Sequence, residues 1–326
     1  MSTVREVLRS AHTELGSMPE ARWIMLRAAG GVSSTASLLA HLEDDVPGDI
    51  ETAVKEMVCR RRAGEPLQYV LGTWEFRELE VAVDRRALVP RPETEVVVAC
   101  ALAELSQLSQ LSVLPVLPVL PELPVLPVLP AAGTDARRSD PVVALDLGTG
   151  SGVIALSLAL ECSSLDSLGP GQLEILATDA SAGAIALARE NLDLLARDHP
   201  SLASSVRFAQ GDWFEAVPSD LEGRVHMIVS NPPYVSEREW EVLDPVVRDH
   251  EPRQALVAGA TGREVLELLV SAAPRWLTRG GSCVLELAPH QADAIARRAT
   301  CAGFVDVEVR ADMSGRPRVL VAHKPR

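Results

Sequence analysis

Val142-Val-Ala-Leu-Asp-Leu-Gly-Thr-Gly-Ser-Gly152 is a short apolar run that ends in glycines at every second position, and a helical pattern follows over 153–160. An apolar run of this length before a turn reads as a buried strand. The glycines let the backbone turn sharply and approach a ligand with no Cβ in the way. The same alternation continues outward. Residues 173–178 form a second run, with a helix from about Ala182, and further runs fall at 206–209, 227–230, 283–287, 305–309 and 319–322. Strand and helix taken in turn predict a doubly wound α/β sheet.

Upstream the period differs. Val4, Val7, Leu8, Ala11 and Leu15 share one helix face, with Thr3 as N-cap and Glu6 three residues on, and residues 50–62 give a longer helix. A small N-terminal helical bundle is expected over 1–68. From Tyr69, Phe76, Leu79, Val81 and Val83 suggest a hairpin. A helical run from about Thr94 then completes a linker over 69–105.

Residues 106–140 interrupt the pattern. Val-Leu-Pro repeats over 113–130, broken once by Glu122. Each proline removes an N–H and clashes with the preceding turn, which excludes a helix and with it a membrane span. Period three matches polyproline II. A docking strip for a partner and an expanded repeat serving as linker both fit, and the preceding Ser-Gln-Leu triplets favour expansion. The α/β domain is expected over 141–326.

Apolar residues make up 47% and aromatics 3%, so Leu, Val and Ala must build the core. A net charge of −14 argues against holding naked nucleic acid, which needs clustered Lys and Arg. The five cysteines include no C-x-x-C pair, so neither a disulfide framework nor a metal site is expected. The first residues, Met-Ser-Thr-Val-Arg-Glu-Val-Leu, lack the apolar stretch of a secretory signal, and a cytoplasmic location is expected.

Three strand ends carry chemistry. The loop Gly148-Thr149-Gly150-Ser151-Gly152 suits a nucleotide-like cofactor but does not separate a nicotinamide from an adenosylmethionine. Asp179, ending the next strand, could accept both hydroxyls of a ribose or cap the following helix. Asp212 and Trp213 suit an adenine's amino group and face, although a lone Trp is more often core.

Asn231-Pro232-Pro233-Tyr234 decides between the cofactors. An amide NH₂ is a poor nucleophile because its lone pair is delocalised. Two acceptors, the Asn231 side-chain oxygen and the Pro232 carbonyl, can take its two hydrogens and aim the nitrogen at a methyl donor. The prolines hold both oxygens in place beforehand. The Tyr234 ring can lie against the flat amide and the cationic methyl. A hydride-transfer constellation is lacking.

Together, these motifs resemble the amino-methyltransferases. The chain narrows the resemblance through Arg61-Arg-Ala-Gly-Glu-Pro-Leu-Gln-Tyr-Val-Leu-Gly72, Val89-Pro-Arg-Pro-Glu-Thr-Glu95, Gly211-Asp-Trp-Phe214, Glu251-Pro-Arg-Gln-Ala-Leu256 and Asp312-Met-Ser-Gly-Arg-Pro-Arg318. These are similar to the release factor glutamine methyltransferases. The resemblance implies a Rossmann-like class I S-adenosylmethionine-dependent domain with a small N-terminal helical bundle and a β-hairpin linker. It implies as substrate the glutamine of the Gly-Gly-Gln motif in peptide chain release factors. A monomer that binds neither nucleic acid nor membrane is expected. By motif position, Gly148 to Gly152, Asp179, Trp213 and Asn231 would contact S-adenosylmethionine, while Asn231, Pro232, Pro233 and Tyr234 would hold the glutamine. The Val-Leu-Pro insert departs from the family pattern, as does Pro317, where a charged residue is usual. Arg91, Glu93 and Glu95 fit either a salt-bridged loop or a pocket wall.

Adenine or guanine in DNA or RNA is the alternative substrate, since its planar amino group poses the same problem. A scaffold docking through the proline repeat has no use for Asn231 and Tyr234 beside an intact glycine loop.

Overall fold

A computed structural model describes residues 2–30, 35–111, 141–162 and 172–326. The Val-Leu-Pro repeat at 113–130 lies outside the described residues.

The chain opens with α1 (Val4–Leu15), α2 (Met18–Ala28), α3 (Thr35–Ala40), α4 (Gly48–Arg62) and α5 (Leu67–Leu71). Thr3 and Glu6 form the reciprocal capping box at the start of α1. The apolar faces of these helices meet in one cluster that includes Val7, Leu8, Ile24, Met25, Val54, Val58, Leu67 and Val70.

The hairpin β1 (Thr73–Phe76) and β2 (Leu79–Ala82) follows, then α6 (Pro92–Leu111). Both pack into the core of the large sheet: Phe76, Leu79 and Val81 share a cluster with Val97, Val98, Ala101 and Leu105 of α6 and with sheet residues Ala144, Met227 and Val284. α6 is therefore a layer helix of the α/β unit as well as the chain's route into it.

The remainder runs β3 (Val142–Leu147), α7 (Val153–Cys162), β4 (Leu173–Asp179), α8 (Ala182–Leu195), α9 (Leu202–Ser205), β5 (Val206–Gln210), β6 (Val225–Ser230) and β7 (Val235–Ser236). It continues through α10 (Glu237–Glu241), α11 (Pro245–Arg248), β8 (Val257–Gly259), α12 (Glu264–Trp276), β9 (Leu277–Glu286), α13 (Ala292–Cys301), β10 (Val305–Ala311) and β11 (Pro317–His323). A seven-stranded sheet forms in the order β10-β11-β9-β6-β3-β4-β5. β9, β6, β3, β4 and β5 are parallel, and β11 runs antiparallel between β9 and β10.

Period-two alternation assigns the sheet's two faces. Ala144, Met227 and Val229 face the layer of α6 and α7, while Leu145, Ile228 and Leu285 face Leu266, Leu269 and Val270 of α12 and Ile295 of α13. The chain moves outward from β3 to β5, then returns to place β6 on the other side of β3. That reversal opens a crevice at the carboxyl ends of β3 and β6, where open α/β sheets take ligands.

β9 starts at Leu277, well ahead of the run predicted at 283–287. β9 is irregular there, pairing Leu277 with Val225 but Ser282 with Met227, and Gly280 takes a left-handed φ of +76°, while a Cβ on Gly281 would stand 3.0–3.1 Å from the carbonyl oxygens of His226, Thr278 and Val225. Glycine serves there both the bulge, at Gly280, and the close backbone approach, at Gly281.

Candidate active site

The glycine loop is tied down from two sides. The amides of Gly148 and Thr149 donate to the Thr178 carbonyl at 2.8 and 2.9 Å, which fastens the loop to the end of β4. Beneath it, fully buried Asp146 accepts from Thr149 Oγ1 at 2.6 Å and from the Ala155 amide at 3.2 Å, both through Oδ2. Its Oδ1 is buried without a hydrogen-bond partner. Burial dominates and pushes this carboxyl up to about 7.

Asp179 faces the same space. Its Oδ2 accepts from the Gly150 amide at 3.0 Å and its Oδ1 from the Ser181 amide at 2.8 Å. Burial raises its carboxyl above the usual range, against those two bonds. The helix N-cap is Ser181, so Asp179 is left to the loop and the crevice.

Trp213 adopts a left-handed backbone at φ +46°, and Thr178 Oγ1 donates to its carbonyl at 3.2 Å. Its ring covers Gly148, where a Cβ would stand 3.2 Å from Trp213 Cζ3. The loop thus forms a cradle that only glycine leaves open, walled by an indole.

At the end of β6, Asn231 Nδ2 donates to Thr94 Oγ1 at 2.9 Å, and Thr94 Oγ1 donates to Glu286 Oε2 at 2.8 Å. The Tyr234 hydroxyl donates to the other oxygen, Glu286 Oε1, at 3.2 Å. Glu286 is fully buried at the end of β9, and burial pushes its carboxyl up to about 7. Burial, reinforced by Glu286, raises the Tyr234 phenol.

The glycine loop, Asp179, Trp213, Asn231 and Thr94 border one cavity of about 420 Å³, with Glu286 and Asp146 behind its wall. Its walls are residues 86–91 and Thr94, the loop 148–151, residues 179–181, Trp213, Asn231, Pro233 and the turn 252–255. Gly148, Thr149, Gly150, Ser151, Asp179, Trp213, Asn231 and Pro233 are brought together as the sequence suggests. Three expected residues stand back from it. Gly152 (φ +88°) instead meets α8, where a Cβ would lie 3.1 Å from Ala188 Cβ. Pro232 is buried, and Tyr234 packs among apolar residues with its hydroxyl on Glu286.

Arg91 is both wall and ion pair: it lines the cavity and its Nη2 reaches Glu251 Oε1 at 2.5 Å. Glu93 faces Arg316 at 3.6 Å, and the Glu95 carbonyl accepts from Arg77 Nη1 at 3.1 Å. Thr94, between these two acids, and Glu286 had no role in the sequence reading. The only signal for Glu286 is a lone carboxylate closing an apolar run; nothing marks Thr94 as its partner.

Two family models match the sequence: a methyltransferase small domain over residues 134–251 and a PrmC N-terminal domain over residues 5–72. A Deinococcus radiodurans protein described as a release factor glutamine methyltransferase is 35% identical over 301 residues, covering 92% of this chain and 89% of its own. One from Bordetella pertussis, described in the same words, is 35% identical over 300 residues, covering 92% of each chain. A solved protein-(glutamine-N5) methyltransferase (release factor-specific) from Alicyclobacillus acidocaldarius is 25% identical and covers 73% of this chain and 95% of its own, with a TM-score of 0.36. With relatives at that identity spanning nearly the whole chain, and with both its N-terminal helices and its methyltransferase sheet matched by family models, the chain belongs to the release factor glutamine methyltransferase family.

Proposed function

We propose that this protein transfers a methyl group from S-adenosylmethionine to the side-chain amide nitrogen of the glutamine in the Gly-Gly-Gln motif of peptide chain release factors. The observation that carries the reading is Asn231: its Nδ2 is engaged by Thr94, which leaves Oδ1 as the amide atom offered to the cavity. An amide acceptor beside a nucleotide-shaped cradle suits a planar NH₂ group that must be oriented.

Gly148, Thr149, Gly150 and Ser151 would hold the cofactor through backbone, with Gly152 setting the helix behind them. Asp179 would accept the ribose hydroxyls and Trp213 would cover the adenine. When bound, S-adenosylmethionine supplies an electrophilic sulfonium methyl. Asn231 Oδ1 and the Pro232 carbonyl would accept the two amide hydrogens of the glutamine, with Pro233 against its side chain and Tyr234 stiffening the loop from behind. Fixing both hydrogens turns the nitrogen's remaining electron density in one direction before reaction, which lowers the barrier. The C–N bond forms as the methyl–sulfur bond breaks and a neutral thioether leaves, and the N-alkylated amide, now cationic, gives up its extra proton readily, so no strong base is needed.

Residues 1–68 would bind the release factor, residues 69–105 would connect, 106–140 would be an inserted linker, and 141–326 would carry the chemistry. Among the described residues, no helix is long and apolar enough to cross a membrane. The reading takes the chain as a cytoplasmic monomer, and its net charge of −14 supports a protein substrate over nucleic acid.

The test is labelled-methyl transfer to purified release factors, native and with the Gly-Gly-Gln glutamine changed to alanine. Label on the native factor alone supports the reading. Label on DNA or RNA and none on either factor refutes it in favour of a nucleobase amino group.

A further inference from the structure

Between Asn231 and Glu286 stands a single hydroxyl. Thr94 Oγ1 lies 2.9 Å from Asn231 Nδ2 and 2.8 Å from Glu286 Oε2, and Thr94 itself lines the cavity. A hydroxyl has one proton, so it can donate in one direction only. The two ends of an asparagine amide are distinguished by their hydrogen-bond network, and here that network leads to a buried carboxylate.

We infer that Thr94 and Glu286 are positioning residues that set the polarity of Asn231: ionised Glu286 takes the Thr94 proton, Thr94 can then only accept, and Asn231 must present Oδ1 to the substrate amide. The inference rests on the glutamine-methylation reading for its consequence in catalysis, though not for the relay itself.

The second oxygen of Glu286 is also committed, to the Tyr234 hydroxyl at 3.2 Å. The ionised carboxylate, an acceptor only, takes both hydroxyl protons, one on each oxygen. Protonated, Glu286 would donate to Thr94 Oγ1 and free the Thr94 proton to point at Asn231. The asparagine amide would then turn over and face the cavity with NH₂. Two NH₂ groups would meet, and the substrate would lose one of its two acceptors.

The groups around Glu286 place this change near neutrality. Thr94 and Glu93 face it from α6, Tyr234 from the loop after β6, and Arg318 from β11. Arg318 and the two hydroxyl donors favour the carboxylate, while Glu93 opposes it and burial outweighs the rest, pushing the group up to about 7. Activity needs the ionised form, so turnover should rise with pH through that value and level off above it.

The experiment measures kcat for release factor methylation between about pH 5.5 and 9 in the native enzyme and in Thr94→Val, Thr94→Ser and Glu286→Gln. The native enzyme and Thr94→Ser should share an acid limb near neutrality. Thr94→Val should lose roughly tenfold or more in kcat, with cofactor affinity retained and the limb abolished, because the link to Asn231 is cut. Glu286→Gln should be flat with pH, since its amide does not titrate. A second readout needs no substrate: the Asn231 side-chain ¹⁵N amide resonance, identified by its loss in Asn231→Ala, should titrate with Glu286 and cease to do so in Thr94→Val. An unchanged acid limb in Thr94→Val, or an Asn231 resonance indifferent to pH in the native protein, overturns the inference. If native enzyme fails to label any release factor while the Asn231 resonance still titrates, the function reading fails and the relay stands.

Discussion

Arg91 Nη2 donates to Glu251 Oε1 at 2.5 Å while the Val89 amide donates to Glu251 Oε2 at 3.1 Å, so one buried carboxylate ties the loop after the hairpin to the loop between α11 and β8. The Glu251 side chain is 1% exposed and that of Arg91 32%. Changing Glu251→Ala strands the Val89 N–H and releases a wall of the cavity. Urea unfolding should show a loss of about 1–3 kcal/mol, the desolvation penalty of an unsatisfied buried donor. A stability change within experimental error would mean that water or a neighbour replaces the carboxylate.

Gly148→Ala tests the cradle. The new Cβ would stand 3.2 Å from Trp213 Cζ3 at a backbone φ of +73°. Strain of about 1 kcal/mol is expected from the left-handed backbone alone. Displacing the indole should weaken S-adenosylmethionine binding by more than that strain accounts for. Calorimetric titration reads it, and unaltered affinity would separate Trp213 from the cofactor.

Asp146 makes stability depend on pH. Its folded-state pKa of about 7 lies above the ordinary 3.8, so the native form holds more protons than the unfolded chain between those values. This group's contribution therefore falls as pH rises across that window. Asp146→Asn removes the slope, so its melting temperature relative to the native protein should climb from about pH 5 to about pH 8. A difference that stays constant with pH would show that Asp146 is ionised in the fold throughout.

Tyr69 joins the helical bundle to the cavity wall, its hydroxyl donating to the Ala87 carbonyl at 2.6 Å inside the protein. Tyr69→Phe keeps the ring and strands that carbonyl. About 1–3 kcal/mol of stability should be lost in urea unfolding, and an undiminished midpoint would place water at Ala87.

How much of this was legible in sequence follows from how local each signal is. β3 appears at its full extent, Val142–Leu147, because a both-faces-buried strand is a continuous apolar run ended by glycine. That Asp179, Trp213 and Asn231 gather about one cavity is legible because strand ends in this fold converge. Glu286 is not. Its meaning comes from Thr94, 192 residues away in the chain, and a carboxylate closing an apolar strand has no local signature. The start of β9 has no apolar run of its own, because an irregularity around Gly280 separates Leu277 from the regularly paired residues that begin at Ser282. The Tyr234 ring suits a flat amide on chemical grounds, but its hydroxyl turns to a carboxylate, Glu286, that no local pattern places beside it.

The central claim is that Asn231 orients the reacting amide. The direct measurement is the single-turnover rate of methyl transfer to a native release factor by Asn231→Ala, at saturating concentrations of both substrates, with cofactor affinity measured alongside. Loss of a preorganised group that acts mainly in the transition state predicts a fall of about 10²- to 10³-fold in rate with a much smaller change in cofactor binding. A rate within about threefold of the native enzyme would contradict the account, because the glutamine would then be oriented by something other than Asn231.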